Sequence, residues 1–152
     1  MAYQKLQVGR ALPAVESNTI DIPNPSAEYI SSTSTGASAL KLVDTAGDFI
    51  NKGVKIGDII NTAALASEVT AIDSATQLSV TTAIPITTAY KIYAAGQNQG
   101  CVLYVGGAGT VEVETVGGDS VTFSGVNAGT FLPVQVLKLK AGTGATLVLA
   151  LW

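Results

Sequence analysis

Alternation of apolar and polar positions is clearest over the last third of the chain, from Gly100 to Trp152. Val111-Glu112-Val113-Glu114-Thr115 puts its valines on one face and its glutamates on the other, as a half-buried strand requires. Val102 to Val105 precedes it, Val121-Thr122-Phe123 follows, and the long run Phe131 to Leu139 comes after two further glycine turns. Gly117-Gly118-Asp119 marks a hairpin, because glycine supplies the positive φ that tight turns demand. Within the long run Val134 and Val136 share one face while Leu137 and Leu139 share the other. That change of phase predicts a bulge near Val136 or a strand covered on both faces. The stretch Leu147 to Trp152 is the most apolar in the chain, and an exposed strand of that kind would template aggregation, so a buried strand is expected there.

The first 25 or so residues are too few to bury a core of their own. Leu6 and Val8 alternate before Gly9, and Thr19-Ile20-Asp21-Ile22 predicts a short strand that stops before Pro23 and Pro25, which lack the N–H a central ladder needs. Asn24-Pro25-Ser26 and Ala94 to Gly100 read as hinges around a middle stretch. In that stretch Ser31 to Ser38 is a polar lead-in with nothing to pack, and Ala63 to Ala66 is a loop. The remainder shows apolar residues two apart, β-branched enrichment and regularly spaced turn residues. The expected fold is all-β: a small β-sandwich built from residues 1–28 plus 99–152, with a small β-barrel-like module inserted at 31–95.

Composition sharpens this picture. The 152 residues suit one domain or two very small ones. Only 12% of residues are charged and 47% are hydrophobic, against about a quarter charged in ordinary soluble chains. Either the surface is a neutral Thr/Ser/Asn/Gln one, or part of it is covered by other copies or a partner, and the two readings are compatible. A net charge of −3 with scattered basic residues leaves no footprint for nucleic acid, Lys138 with Lys140 being the tightest grouping. No apolar run approaches the roughly twenty residues that span a bilayer, and MAYQKLQVGR has no signal core, so a cytosol-like place of synthesis is expected.

Candidate chemistry is sparse. The chain has no histidine, which removes Ser-His and Cys-His nucleophile pairs and His-based zinc sites. Cys101, the single cysteine, reads as a small buried thiol at the start of a strand. Gly106 to Thr110 and Gly142 to Thr146 lack the Gly-Lys-Ser/Thr ending and following helix of a phosphate loop, and are turns. Asp44, Asp48, Asp58, Asp73 and Asp119 have the hard oxygens calcium takes, but no EF-hand spacing, and Asp beside Gly is ordinary turn chemistry. Glu112 and Glu114 read as a solvated face rather than a glycosidase pair. The aromatics Tyr3, Tyr29, Phe49, Tyr90, Tyr93, Tyr104, Phe123, Phe131 and Trp152 are spread among separate strands, which favours core or interface packing over a stacking platform. No catalytic, cofactor-binding or metal-binding residue is expected, and the chain does not read as an enzyme.

The segments MAYQKLQVGRAL, FINKGVKIGDIINT, EVTAIDSATQLSVTTAI, AYKIYAAG and GCVLYVGGAGTVEVETVGGDSVTF, together with GTFLPVQVLKL, resemble small virion structural proteins of tailed bacteriophages, of the aquatic and cyanobacterial phage type. The resemblance covers nearly the whole chain. In the middle it is carried by Phe49, Val54, Gly57, Asp58, Ile60, Val69, Ile72, Asp73, Leu78, Tyr90 and Ile92, with a loop, Asn61 to Ser67, shorter than in the proteins it resembles. It implies a non-enzymatic protein of the virion, assembled in the host cytoplasm: a capsid decoration or cement protein, homotrimeric, bound to the major capsid protein, without nucleic-acid or membrane contacts. A tail, baseplate or fibre/spike-attachment component is the alternative. A host-surface glycan-binding module would need an exposed aromatic and carboxylate cluster.

Overall fold

The computed structural model describes residues 8–152, so Tyr3 and Leu6 lie outside the described residues. Its regular structure is two antiparallel six-stranded sheets, the all-β architecture expected. The first sheet runs in the order β1 (Ala11–Pro13), β12 (Thr146–Leu151), β8 (Cys101–Gly107), β11 (Thr130–Leu139), β9 (Gly109–Thr115), β10 (Ser120–Val126). Thus an N-terminal strand joins the C-terminal ones, and β12 is an internal strand between β1 and β8. Gly9 and Arg10 N–H both donate to the Trp152 carbonyl, which fixes the β1–β12 register. The strand expected at Thr19 to Ile22 does not form. Ser17 Oγ accepts from the Thr19 and Ile20 N–H groups and bends the chain there, as a short hydroxyl side chain readily does.

The second sheet runs β2 (Glu28–Thr33), β7 (Ala89–Tyr93), β4 (Ile59–Asn61), β5 (Ala66–Ser74), β6 (Gln77–Val80), β3 (Lys41–Val43). Half of β2, Ser31 to Thr33, falls in the polar stretch that was expected to have nothing to pack; it is an edge strand held by its ladder with β7 and by the Ser32 hydroxyl, which donates to Asp44. The barrel-like closure expected of this module stops at one bridge, Gly36 with Val43, between the continuation of β2 and β3. No ladder closes the sheet.

Each sheet buries its own apolar cluster. Leu103, Val105, Val111, Val113, Val136 and Ala150 are completely buried in the first, and Leu42, Phe49, Ile60, Val69, Leu78 and Ile92 in the second. Ten of the eleven residues that carry the resemblance in the middle stretch thereby find structural roles in core, turn or ion pair; Ile72 is left exposed on β5. At about 25 cal/mol per Å² of apolar surface removed from water, these clusters are the main stabilising term of each sheet. The register of β11 shifts between Val136 and Lys138, the bulge that its change of phase required.

Two segments connect the sheets, and they run side by side. The β2–β7 ladder continues into them through Ala94 N–H to the Ala27 carbonyl (3.0 Å) and Asn24 Nδ2 to the Gln97 carbonyl (3.2 Å). A Lys91–Glu28 ion pair (2.8 Å) lies at the foot of this ribbon.

Candidate functional site

Strand period two assigns each residue of the first sheet to a face. Cys101, Leu103 and Val105 on β8 and Val148 and Ala150 on β12 point into the cluster. Their neighbours Val102, Tyr104, Leu147, Leu149 and Leu151 therefore occupy the opposite, outer face. Ala11 and Pro13 of β1 pair with Leu151 and Leu149, and Phe131 of β11 pairs with Tyr104, so they extend that face at both sides. Across β1, β12, β8 and the Phe131 end of β11 this surface carries no charged residue; Lys138, toward the other end of β11, belongs with Glu114 to the polar half. The Tyr104 and Phe131 rings, far apart in sequence, lie 5.0 Å apart at 56°, the tilted geometry aromatic pairs favour. That pairing is a cluster the separated positions did not disclose; only the β8–β11 register produces it.

Leu147 is the outermost of these residues. It is 78% exposed, the most exposed large hydrophobic residue among those described, and its φ is +53°. A non-glycine residue in the left-handed region costs of order 1–3 kcal/mol. Nothing in the fold repays that cost through packing of the Leu147 side chain. Gly106 lies beneath it: a Cβ there would meet the Leu147 carbonyl oxygen and Cβ at 2.8 Å, so only glycine lets β8 pass under this part of β12. Beside Leu147 a groove of about 600 Å³ is lined by Pro13, Tyr104, Leu147 and Leu149 and bounded by Ala63, from the β4–β5 turn of the second sheet.

The other half of the same outer face is polar. Glu112 and Glu114 on β9 and Thr122 on β10 point outward, opposite Val111, Val113, Val121 and Phe123. Lys138 binds Glu114 (2.6 Å) and Asp21 (3.3 Å). The hydrogen bond to Glu114 is the main influence raising the Lys138 ammonium above its ordinary value and lowering the Glu114 carboxyl below its own. Both groups stay charged, which is the chemistry of an ion pair and not of an acid–base couple.

The remaining candidates of the sequence are dispersed. Cys101 opens β8, is 2% exposed and donates from Sγ to the Val136 carbonyl; burial pushes its thiol up to about 12, far from a reactive thiolate. Asp48 and Asp119 serve turns: Asp48 holds Asn51 through Nδ2, and Asp119 N–H binds Thr115 Oγ1. Asp73 pairs with Lys41 at 2.8 Å. Asp44 and Asp58 are not turn ornaments: both are buried, at 0% and 4% exposure. Among the described residues no three Asp, Glu or Cys side chains gather as a metal would need, and no helix is long and apolar enough to cross a membrane.

Asp44 Oδ2 accepts from Ser32 Oγ and from Tyr90 OH, both at 2.6 Å, while Oδ1 accepts from Ala46 N–H at 2.9 Å. Ser32 and Tyr90 are cross-strand partners on β2 and β7, so one carboxylate following β3 grips both strands at the other end of the sheet. Burial alone would raise this carboxyl. The hydrogen bonds from Ser32, Tyr90 and Ala46, helped by Lys52, outweigh it and hold the group below its ordinary value.

Comparison of the chain with models of protein families, with curated proteins and with solved structures found no match.

Proposed function

We propose that this chain is a structural protein of a tailed-phage virion, of the capsid decoration or cement type, and that the uncharged outer half of the first sheet is the surface it presents to the particle. The observation that carries the reading is Leu147. An exposed leucine held at a costly positive φ, within an uncharged face that spans β1, β12, β8 and the Phe131 end of β11, fits a surface kept for contact; Leu40, 58% exposed at φ +51°, shares that backbone state outside this face. The resemblance of nearly the whole chain to small virion proteins supplies the kind of partner, the major capsid protein, with further copies of this chain in a homotrimer. The paired Tyr104 and Phe131 rings suit the centre of such a contact, where aromatic anchors contribute most. Glu112, Glu114 and Lys138 on the polar half suit its rim.

Quantifying the chain against the major capsid protein in purified particles tests this reading. Near-stoichiometric amounts are expected. A few copies per particle would overturn the decoration reading and move the protein to the tail, the baseplate or a vertex. Absence from particles would overturn the virion reading altogether.

A further inference from the structure

The Gly57-Asp58 pair belongs to the pattern on which the resemblance rests, yet Asp58 does more than shape a turn. Its carboxylate is 4% exposed and meets three segments at once. Oδ2 accepts from Lys55 N–H at 2.7 Å, which closes the turn leading into β4. The same oxygen accepts from the Tyr29 hydroxyl, on the strand that arrives from the first sheet. Oδ1 accepts from Ala95 N–H at 3.1 Å, on the segment that returns to it. Gly57, at φ +94°, lets the turn present the carboxylate this way.

The first strand of the second sheet and the segment that returns from β7 thus touch one buried anion at the root of the joint. Beyond it the two connecting segments are hydrogen-bonded to each other through Asn24 and Ala94, and Thr19 to Asp21 of the outgoing one share a cleft with Ile59, Ala95 and Gly96. We propose that Asp58 is the pin of the joint between the two sheets, fixing the outgoing strand and the returning segment against β4 so that the second sheet stands at one set angle to the first. Such a pin gives a face-docking protein a defined posture: what the first sheet binds determines where the second sheet projects. The Tyr29 hydroxyl fits the role, since burial first, and then its bond to Asp58 and that residue's negative charge, keep its proton in place well above the usual tyrosine range.

The test uses the full chain, isotopically labelled, with residual dipolar couplings and amide exchange compared between wild type and two variants. In the wild type one alignment tensor describes both sheets. In Asp58→Asn the two sheets require different tensors, and the Ala95 and Lys55 amides exchange roughly tenfold faster or more, the usual worth of a charge-assisted hydrogen bond. Amides of Leu103 and Val105 in the first sheet keep their protection. Tyr29→Phe, which removes one hydroxyl and leaves the turn, speeds Ala95 exchange by a smaller factor, and it decides the matter if Asp58→Asn does not fold. Asp44→Asn serves as control: it loosens the second sheet internally and leaves the joint fixed. A single tensor with unchanged Ala95 exchange in Asp58→Asn, or in Tyr29→Phe where that is the variant that folds, would overturn the proposal and reduce Asp58 to a turn residue.

Discussion

The two sheets have equal numbers of strands and each is held chiefly by its own apolar cluster, but they differ in what else they bury. The first is organised by apolar alternation, with its charged groups on the outer surface and the Trp152 indole N–H buried without a partner among the described residues. The second contains every buried polar residue among those described: Ser34, Asp44, Asp58, Asn61, Thr62 and Ser67. A hydrophobic cluster needs only water to drive it, whereas a buried carboxylate must stay ionised and keep its donors. The first sheet therefore leaves part of its outer face uncharged, and the second adds to its apolar cluster a few named hydrogen bonds that grip its strands.

Removing those bonds gives the largest effect. Asp44→Ala leaves the Ser32 and Tyr90 hydroxyls and the Ala46 N–H without their acceptor, at a cost of about 3 kcal/mol or more. Leu103→Ala should cost about as much in the first sheet, through a cavity. The two are separated by signal, because Trp152, the only tryptophan, packs against the first cluster, while Tyr90 and Tyr93 are buried in the second sheet. In a denaturant titration Asp44→Ala should advance the near-ultraviolet tyrosine transition relative to Trp152 emission, and Leu103→Ala should do the reverse.

Acid should have a smaller effect in the same direction. The Asp44 carboxyl titrates below its ordinary value of 3.8 in the folded chain. Its contribution is complete above that value and is lost as pH falls through it toward the lower folded value. Tyrosine signals should accordingly change before Trp152 emission as the solution is acidified. Asp44→Asn should abolish most of that interval.

Leu147→Gly should raise stability by about 1 kcal/mol, since glycine accepts the positive φ without strain. A higher melting temperature together with weaker particle binding would show that the leucine is retained for contact. The smallest effect belongs to Lys138→Met: its pairs with Glu114 and Asp21 are partly exposed, and any loss of stability should vanish at high salt.

Much of the first sheet was legible because its information is local. The Val111 to Thr115 alternation, the Gly117-Gly118 hairpin, the buried Cys101 and the bulge near Val136 each follow from a few adjacent residues. What could not be read depends on partners far away in sequence. The second half of β2 hides in SSTSTGAS because the Ser32 hydroxyl is satisfied by Asp44 and the backbone by ladder bonds to β7, neither visible locally. Asp58 looked like any Asp after a Gly until Tyr29 and Ala95 were placed beside it. The Tyr104–Phe131 pair is a product of strand order. Ser17 displaced the strand expected at Thr19 to Ile22 by a capping bond that the alternation there outweighed on paper.

The claim that the apolar half of the outer face is the docking surface is tested most directly by occupancy of purified particles. Particles would be assembled with Phe131→Ser/Leu147→Ser in place of the wild-type chain, and in parallel with Glu112→Gln/Thr122→Ala from the polar half, after both variants are shown to melt cooperatively. The account predicts that the first variant is lost from particles and the second is retained at wild-type level. Full occupancy by the Phe131/Leu147 variant would contradict it.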